Sequence, residues 1–374
     1  MADIKTNLRE LSIIVGVYNI LGLKKYCETP SSFINICKFA LPNINQYSYN
    51  NISTLSSFDF EQKQIIKNGF QLAKEILIKF SIKEITEINW YGFDTQKDEP
   101  YDISINNLKF SLKEESFILE NMGLYKLLNC YTGSTYKRRH IFHDYAKKEY
   151  ELWFNITWKE LSQYLITHNQ KWTNVNVLKN NKSEILISSK NVELVFYKNN
   201  KCSSRALLPI DCSLSKYEEL TNSEIREKVF AKFINICLDK NTAYNQAKKN
   251  CAIVASKKLV DELNNNLNYS VGLLRFLRIH SSEYYYAKTT SKTVEIYKVP
   301  SSSALGTEII IESISPSVPS SQANIITKIK NTKTNKILTL RNECRFSHGQ
   351  FNGTPEAKLY YENNCTLEAI YERI

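Results

Sequence analysis

The segment Pro100-Tyr-Asp-Ile-Ser-Ile-Asn-Asn-Leu-Lys-Phe-Ser-Leu-Lys113 limits this chain's options more than any other. Tyr101 to Ile105 and Leu108 to Leu112 read as two short strands, with Asn106-Asn107 as the turn between them. Alternation along a strand sends residues two apart to one side, so Ser111 and Lys113 share a face. A hairpin of this kind brings a carboxylate, Asp102, and an ammonium, Lys113, to one edge of a sheet. Magnesium-dependent phosphodiester hydrolysis needs such groups. The metal supplies charge neutralisation and an activated water, and carboxylates hold it at the phosphate. An ordinary structural hairpin carries the same residues, so the pattern alone leaves both readings open.

The 374 residues suffice for a full core and for two domains. A hydrophobic share of 43% and an aromatic share of 12% mark a folded chain. The formal charge of +11 favours an anionic partner, nucleic acid first, although the Asn, Lys and Ile bias weakens that signal. Nine cysteines, an odd count with no C-x2-C pair, argue for reduced thiols rather than zinc or a disulfide framework. No leader-like run opens the sequence, and the apolar stretch from Leu11 to Leu21 is too short to span a bilayer. The expectation is a cytoplasmic protein with no membrane partner.

Residues 1 to about 60 read as an irregular, partly helical lead-in. Glu61 to Phe80 has helical apolar spacing, with Glu75 on or near the apolar face. Glu115 to Asn129 reads as a second helix, so helix, hairpin and helix make an α/β unit. Asp144 to Thr167 is helical, residues 184–198 are two strands, and 222–268 hold two helical stretches. Beyond about residue 270 the segments 282–299, 308–315, 323–330 and 336–346 are strand-like, with a turn at Lys330 to Lys336 and a long loop from Ser313. Tyr284-Tyr285-Tyr286 fits a sheet core better than a stacking platform.

Asp102 followed by Ser111-Leu112-Lys113 resembles the signature of the PD-(D/E)xK nuclease superfamily, and type II restriction endonucleases within it. The resemblance implies a mixed α/β sheet flanked by helices, with a β-rich C-terminal recognition region. It also implies Mg2+ as cofactor and double-stranded DNA as partner. Asp102 and Lys113 carry over directly. Ser111 carries over by position only, because an acid usually stands there. Glu75 carries over as the candidate helix glutamate. Asp102, Ser111 and Glu75 would then surround the metal, with Glu114, Glu115 or Glu120 as further sources of a carboxylate. Residues 1–210 would hold the nuclease core at about 60–200, followed by a helical segment at 211–270 and a recognition region at 271–374.

Hydrogen-bonding types crowd the C-terminal block: Arg341, Arg345, Ser347, His348, Gln350, Asn352, Thr354 and Lys358. Arg pairs with guanine and Gln or Asn with adenine, while Ser, Thr and Lys more often hold phosphates. A solvated turn is the competing reading. Lys137, Arg138 and Arg139, with His140, His143, Lys147 and Lys148, form a basic cluster suited to phosphates or to solvent. Homodimerisation would match two-fold DNA symmetry. A non-catalytic DNA-binding protein on a nuclease-like scaffold remains the alternative, kept alive by Ser111. Dinucleotide, P-loop and G-x-S-x-G motifs are missing from the sequence.

Overall fold

The computed structural model describes residues 4–43, 49–92, 100–114, 118–121, 123–133, 141–168, 171–176, 181–188, 190–220, 242–268, 272–290, 293–319, 321–345, 351, 356–362 and 367–374. Its architecture is mixed α/β: three sheets flanked by helices, with a more β-rich C-terminal part.

The hairpin forms as the sequence predicts. Strands β1 (Ile88–Trp90), β2 (Ile103–Ile105) and β3 (Leu108–Glu114) make an antiparallel meander. Asn106 and Asn107 take φ of 46° and 68°, a left-handed conformation that asparagine tolerates better than most residues. Strand β3 then pairs in parallel with β9 (Tyr284–Thr289), which pairs with β10 (Val294–Val299) and that with β15 (Glu372–Arg373). One six-stranded mixed sheet therefore draws strands from both halves of the chain.

Helices α1 (Ile4–Ile20), α2 (Pro30–Ala40) and α4 (Phe60–Lys79) cover one face of this sheet, with the short α3 (Asn50–Ser53) beside them. Helix α4 starts at a capping box, in which the Asp59 carboxylate accepts from the Gln62 amide and Gln62 answers to the Asp59 amide. Gly69 lets α4 meet α1: a Cβ there would collide with Ser12 Oγ and lie 2.6 Å from Ser12 Cβ. Ile103, Ile105, Phe110 and Leu112 pack into this core with Leu8, Leu11 and Ile14.

The second core lies beyond the other face. It joins α5 (Leu124–Thr132), α6 (Ile141–Tyr145), α7 (Lys147–Thr167) and α9 (Thr242–Asn265) to the remaining two sheets, with the short α8 (Leu214–Glu218) and α10 (Gly272–Phe276) at its margin. One is a four-stranded antiparallel meander: β5 (Lys171–Asn176), β6 (Asn181–Ile187), β7 (Asn191–Lys198) and β8 (Lys201–Pro209). The other runs β11 (Ile309–Ser317), β12 (Ala323–Asn331), β13 (Ile337–Arg345), β14 (Glu356–Tyr361) and β4 (Ile118–Asn121).

Two expectations need correction. The helix expected over Glu115 to Asn129 is instead strand β4 followed by α5, separated by Gly123 at φ 71°. A short apolar run fits either element, and here pairing with β14 decides. Ser313 to Ser317, expected as loop, continues β11 past a bulge at Ile311/Ser313. Pro316 is accommodated because β11 is an edge strand. The first of the two helical stretches expected between 222 and 268 lies outside the described residues, while the second is α9. Tyr284 and Tyr286 are buried in the second core, as a core reading of the tyrosine run requires, and Tyr285 packs on Phe110 in the first. None of the seven described cysteines is in a disulfide. No helix among the described residues is long and apolar enough to cross a membrane.

Candidate active site

Helix α1 is built from residues that want burial: Leu8, Leu11, Ile14 and Val15 are fully enclosed. Glu10 stands in this helix with Ile13, Ile14 and Val17 at the positions three, four and seven further on, so its side chain follows the apolar face. It is only 6% exposed. An ionised carboxylate placed there needs partners. The Trp90 indole at the end of β1 donates to Glu10 Oε2 at 2.7 Å. The chain after β1 then passes over the carboxylate at Gly92, where a Cβ would collide with Oε2.

Asp102 meets Glu10 from the head of β2. Its backbone is fixed on both sides, the amide donating to Phe110 O at 2.8 Å and the carbonyl accepting from Tyr91 N at 2.8 Å. Its Oδ2 accepts from the Leu112 amide at 2.6 Å, so the carboxylate is tied to the strand that carries Ser111 and Lys113. Burial and then repulsion from Asp102 push the Glu10 carboxyl up from 4.5 to about 8, against the pull of the Trp90 hydrogen bond, Lys113 and Arg9. Glu10, Asp102 and Lys113 thus lie within one electrostatic neighbourhood, although they come from a helix and two strands.

Phe110 and Leu112 enter the first core, so Ser111 and Lys113 face the other way. Ser111 is buried and Lys113 half-buried. Two carboxylates that repel one another, near a lysine, are oxygen donors of the kind that suits a hard divalent cation. Glu10 and Asp102 would hold it, with the Leu112 amide fixing the Asp102 carboxylate. No group of three or more His, Cys, Asp or Glu among the described residues has metal-binding geometry, so this set offers two carboxylates.

The helix carboxylate that shares this neighbourhood is Glu10 of α1, whereas the expected Glu75 stands on α4. Glu75 is half-exposed on α4, and no hydrogen bond or ion pair engages it among the described residues. Glu120 lies in β4 of the five-stranded sheet, paired with Leu359. Glu115 lies outside the described residues, and so does the side chain of Glu114.

The expected reading block is only partly described. Ser347, His348, Gln350, Asn352 and Thr354 lie outside the described residues, as do Lys137, Arg138, Arg139 and His140. Arg341 and Arg345 sit on β13, tied to acids. Arg341 bonds Glu343 at 2.6 Å and Glu362 at 2.8 Å and stacks over Tyr360, while Arg345 reaches Glu343 at 3.3 Å. Lys358 on β14 stands 3.8 Å from Glu356. His143 lies near Asp144 and Glu218, at 3.8 and 4.0 Å.

Comparison of the chain with family models, with curated proteins and with solved structures gives no match.

Proposed function

We propose that this protein is a magnesium-dependent, site-specific endonuclease for double-stranded DNA, of the type II restriction class. The observation that carries the reading is the electrostatic proximity of Glu10 to Asp102 and Lys113. The sequence pairs Asp102 with Lys113 only; the folded chain adds a buried helix carboxylate beside them. What supports it at the level of architecture is coarser: a mixed sheet, β1-β2-β3 joined to a parallel β9 and backed by helices.

In this reading Glu10 and Asp102 would hold Mg2+, which would supply neutralisation of phosphoryl charge and an activated water. Trp90 keeps Glu10 aimed, and the Leu112 amide keeps Asp102 aimed. Lys113 orients the attacking water and stabilises the charge that develops on the phosphoryl oxygens. Arg341, Arg345 and Lys358 belong to the proposed DNA-reading surface, where Glu343, Glu356 and Glu362 would have to yield them to DNA. A homodimer would place two such centres on the two strands of a symmetric site.

Ser111 favours a second reading, a DNA-binding protein on the same scaffold without cleavage, because a strand carboxylate is replaced by a hydroxyl. Digestion of a defined plasmid with and without magnesium, followed by end mapping, separates the two. Discrete fragments that require magnesium are expected. Tight specific binding without cleavage would replace the first reading by the second.

A further inference from the structure

A cavity of about 320 Å³ lies between α4 and the chain that links α1 to α2, lined by Tyr26, Glu28, Lys63, Ile66, Lys67 and Phe70. None of these residues belongs to the set around Glu10. Lys63, Ile66, Lys67 and Phe70 recur at helical spacing, so they share one face of α4. Ile66 is buried, Phe70 is half-buried, and the Phe70 and Tyr26 rings meet at 5.3 Å between centroids. One aliphatic and two aromatic side chains thus make the apolar part of the lining. Lys63, Lys67 and Glu28 make its exposed, charged part.

The linking chain is held in place. The Tyr26 amide donates to Asn19 Oδ1 at 2.9 Å and the Cys27 amide to Ser32 Oγ at 3.0 Å. Glu28 then takes φ 54°, a left-handed conformation that glutamate rarely adopts. Burial, and after it the Glu28 charge, push the Tyr26 hydroxyl up to about 12, so it stays a neutral donor. No hydrogen bond or ion pair engages the side chains of Glu28, Lys63 or Lys67 among the described residues. Opposite charges therefore line one cavity without closing it on each other. An apolar hollow of this size with a few polar groups is the usual form of a small-molecule site.

Two ammonium groups one helical turn apart match a dianionic phosphate better than a single carboxylate. Aromatic side chains stack on any base, and a carboxylate accepts from a base's N–H groups. We infer that this cavity binds a nucleoside monophosphate, with the base on Tyr26 and Phe70, its N–H groups toward Glu28, and the phosphate on Lys63 and Lys67. The inference does not depend on the endonuclease reading.

The test is titration calorimetry of the full chain with the four common nucleoside monophosphates, their nucleosides, inorganic phosphate and phenylalanine. At least one nucleotide should bind, and more tightly than its nucleoside or phosphate alone. Lys63→Gln combined with Lys67→Gln should weaken the nucleotide about tenfold or more and leave the nucleoside unchanged. Tyr26→Leu should weaken both by roughly 5- to 150-fold, the worth of one stacked base, and Tyr26→Phe should keep them. Thermal unfolding identifies the folded variants, and the lysine pair, being exposed, stands in should Tyr26→Leu not fold. Absence of binding by all four nucleotides overturns the inference. So does phosphate alone binding as tightly as a nucleotide, which would mean a bare anion on surface lysines. Tighter binding of phenylalanine, or unchanged nucleotide affinity in a folded variant that lacks the lysines, overturns it equally.

Discussion

The main chain at Gly92 passes so close to Glu10 that an added Cβ would collide with its Oε2 and stand 2.7 Å from its Cδ. The same Cβ would lie 2.8 Å from Trp90 Nε1, the donor that aims the carboxylate. Gly92→Ala must therefore displace either the loop or Glu10. A misplacement of about 1 Å at a reacting centre costs on the order of 100-fold in rate. We expect a loss of that size in magnesium-dependent plasmid cleavage, with the far-ultraviolet dichroism unchanged. Wild-type cleavage by Gly92→Ala would remove Glu10 from the site.

Two helix glutamates can be told apart by substitution. Glu10→Gln should lower cleavage by roughly 100-fold or more, since even residues behind a metal ligand are worth about 10- to 100-fold. Glu75→Gln should leave cleavage within about twofold, because no hydrogen bond or ion pair engages Glu75 among the described residues. Single-turnover rates on one supercoiled plasmid measure both. Equal losses, or the reverse order, would return the role to Glu75.

Stability in chelator should carry the mark of Glu10. Its carboxyl titrates near 4.5 in the unfolded chain and at about 8 in the fold, so across this window the folded state binds more protons. The stability it contributes is complete below 4.5 and is lost as pH rises through about 8. Denaturant unfolding between these limits should show a decline for wild type that is shallower for Glu10→Gln, which has no proton to lose. Parallel profiles for the two proteins would contradict the buried position of this carboxyl.

The contact of α1 with α4 can be probed away from the site. A Cβ on Gly69 would strike Ser12 Oγ, and Ser12 is fully buried. Overpacking of this kind costs about 1–3 kcal/mol. Gly69→Ala should lower the denaturant midpoint accordingly, and Gly69→Ala combined with Ser12→Ala should recover part of the loss. An unchanged midpoint in the single variant would mean that the helices are not held this close.

The sequence exposed what is local and hid what is distant. Asn106-Asn107 pins the hairpin, because two consecutive asparagines suit its left-handed φ values, and α4 declares itself through Ile65, Ile66, Leu72, Ala73, Ile76 and Leu77. The strands from Ile309 to Arg345 were legible from their Ile and Thr content and the Lys330 to Lys336 turn. Glu10 was missed because its partner Trp90 lies 80 residues away. A signal did exist: an acid with Ile13, Ile14 and Val17 at helical spacing lies on an apolar stripe. Nothing local marks the pairing of β3 with β9, since any apolar strand could have taken that edge. Strand β4 is not legible locally because the run through Phe117, Ile118 and Leu119 satisfies a helix equally well, and only β14 across the sheet settles it.

The parallel partnership of β3 with β9 also fixes an order of events during synthesis. Asp102 and Lys113 emerge from the ribosome long before Tyr284–Thr289, and until then β3 is an open edge. Contacts between such remote segments form late and slow the folding of a chain. A nascent chain stopped between the two strands carries its acid and lysine on an unfinished ledge, open to pairing with other chains. Protection of this edge from aggregation is thus acquired only at the moment the later strand docks.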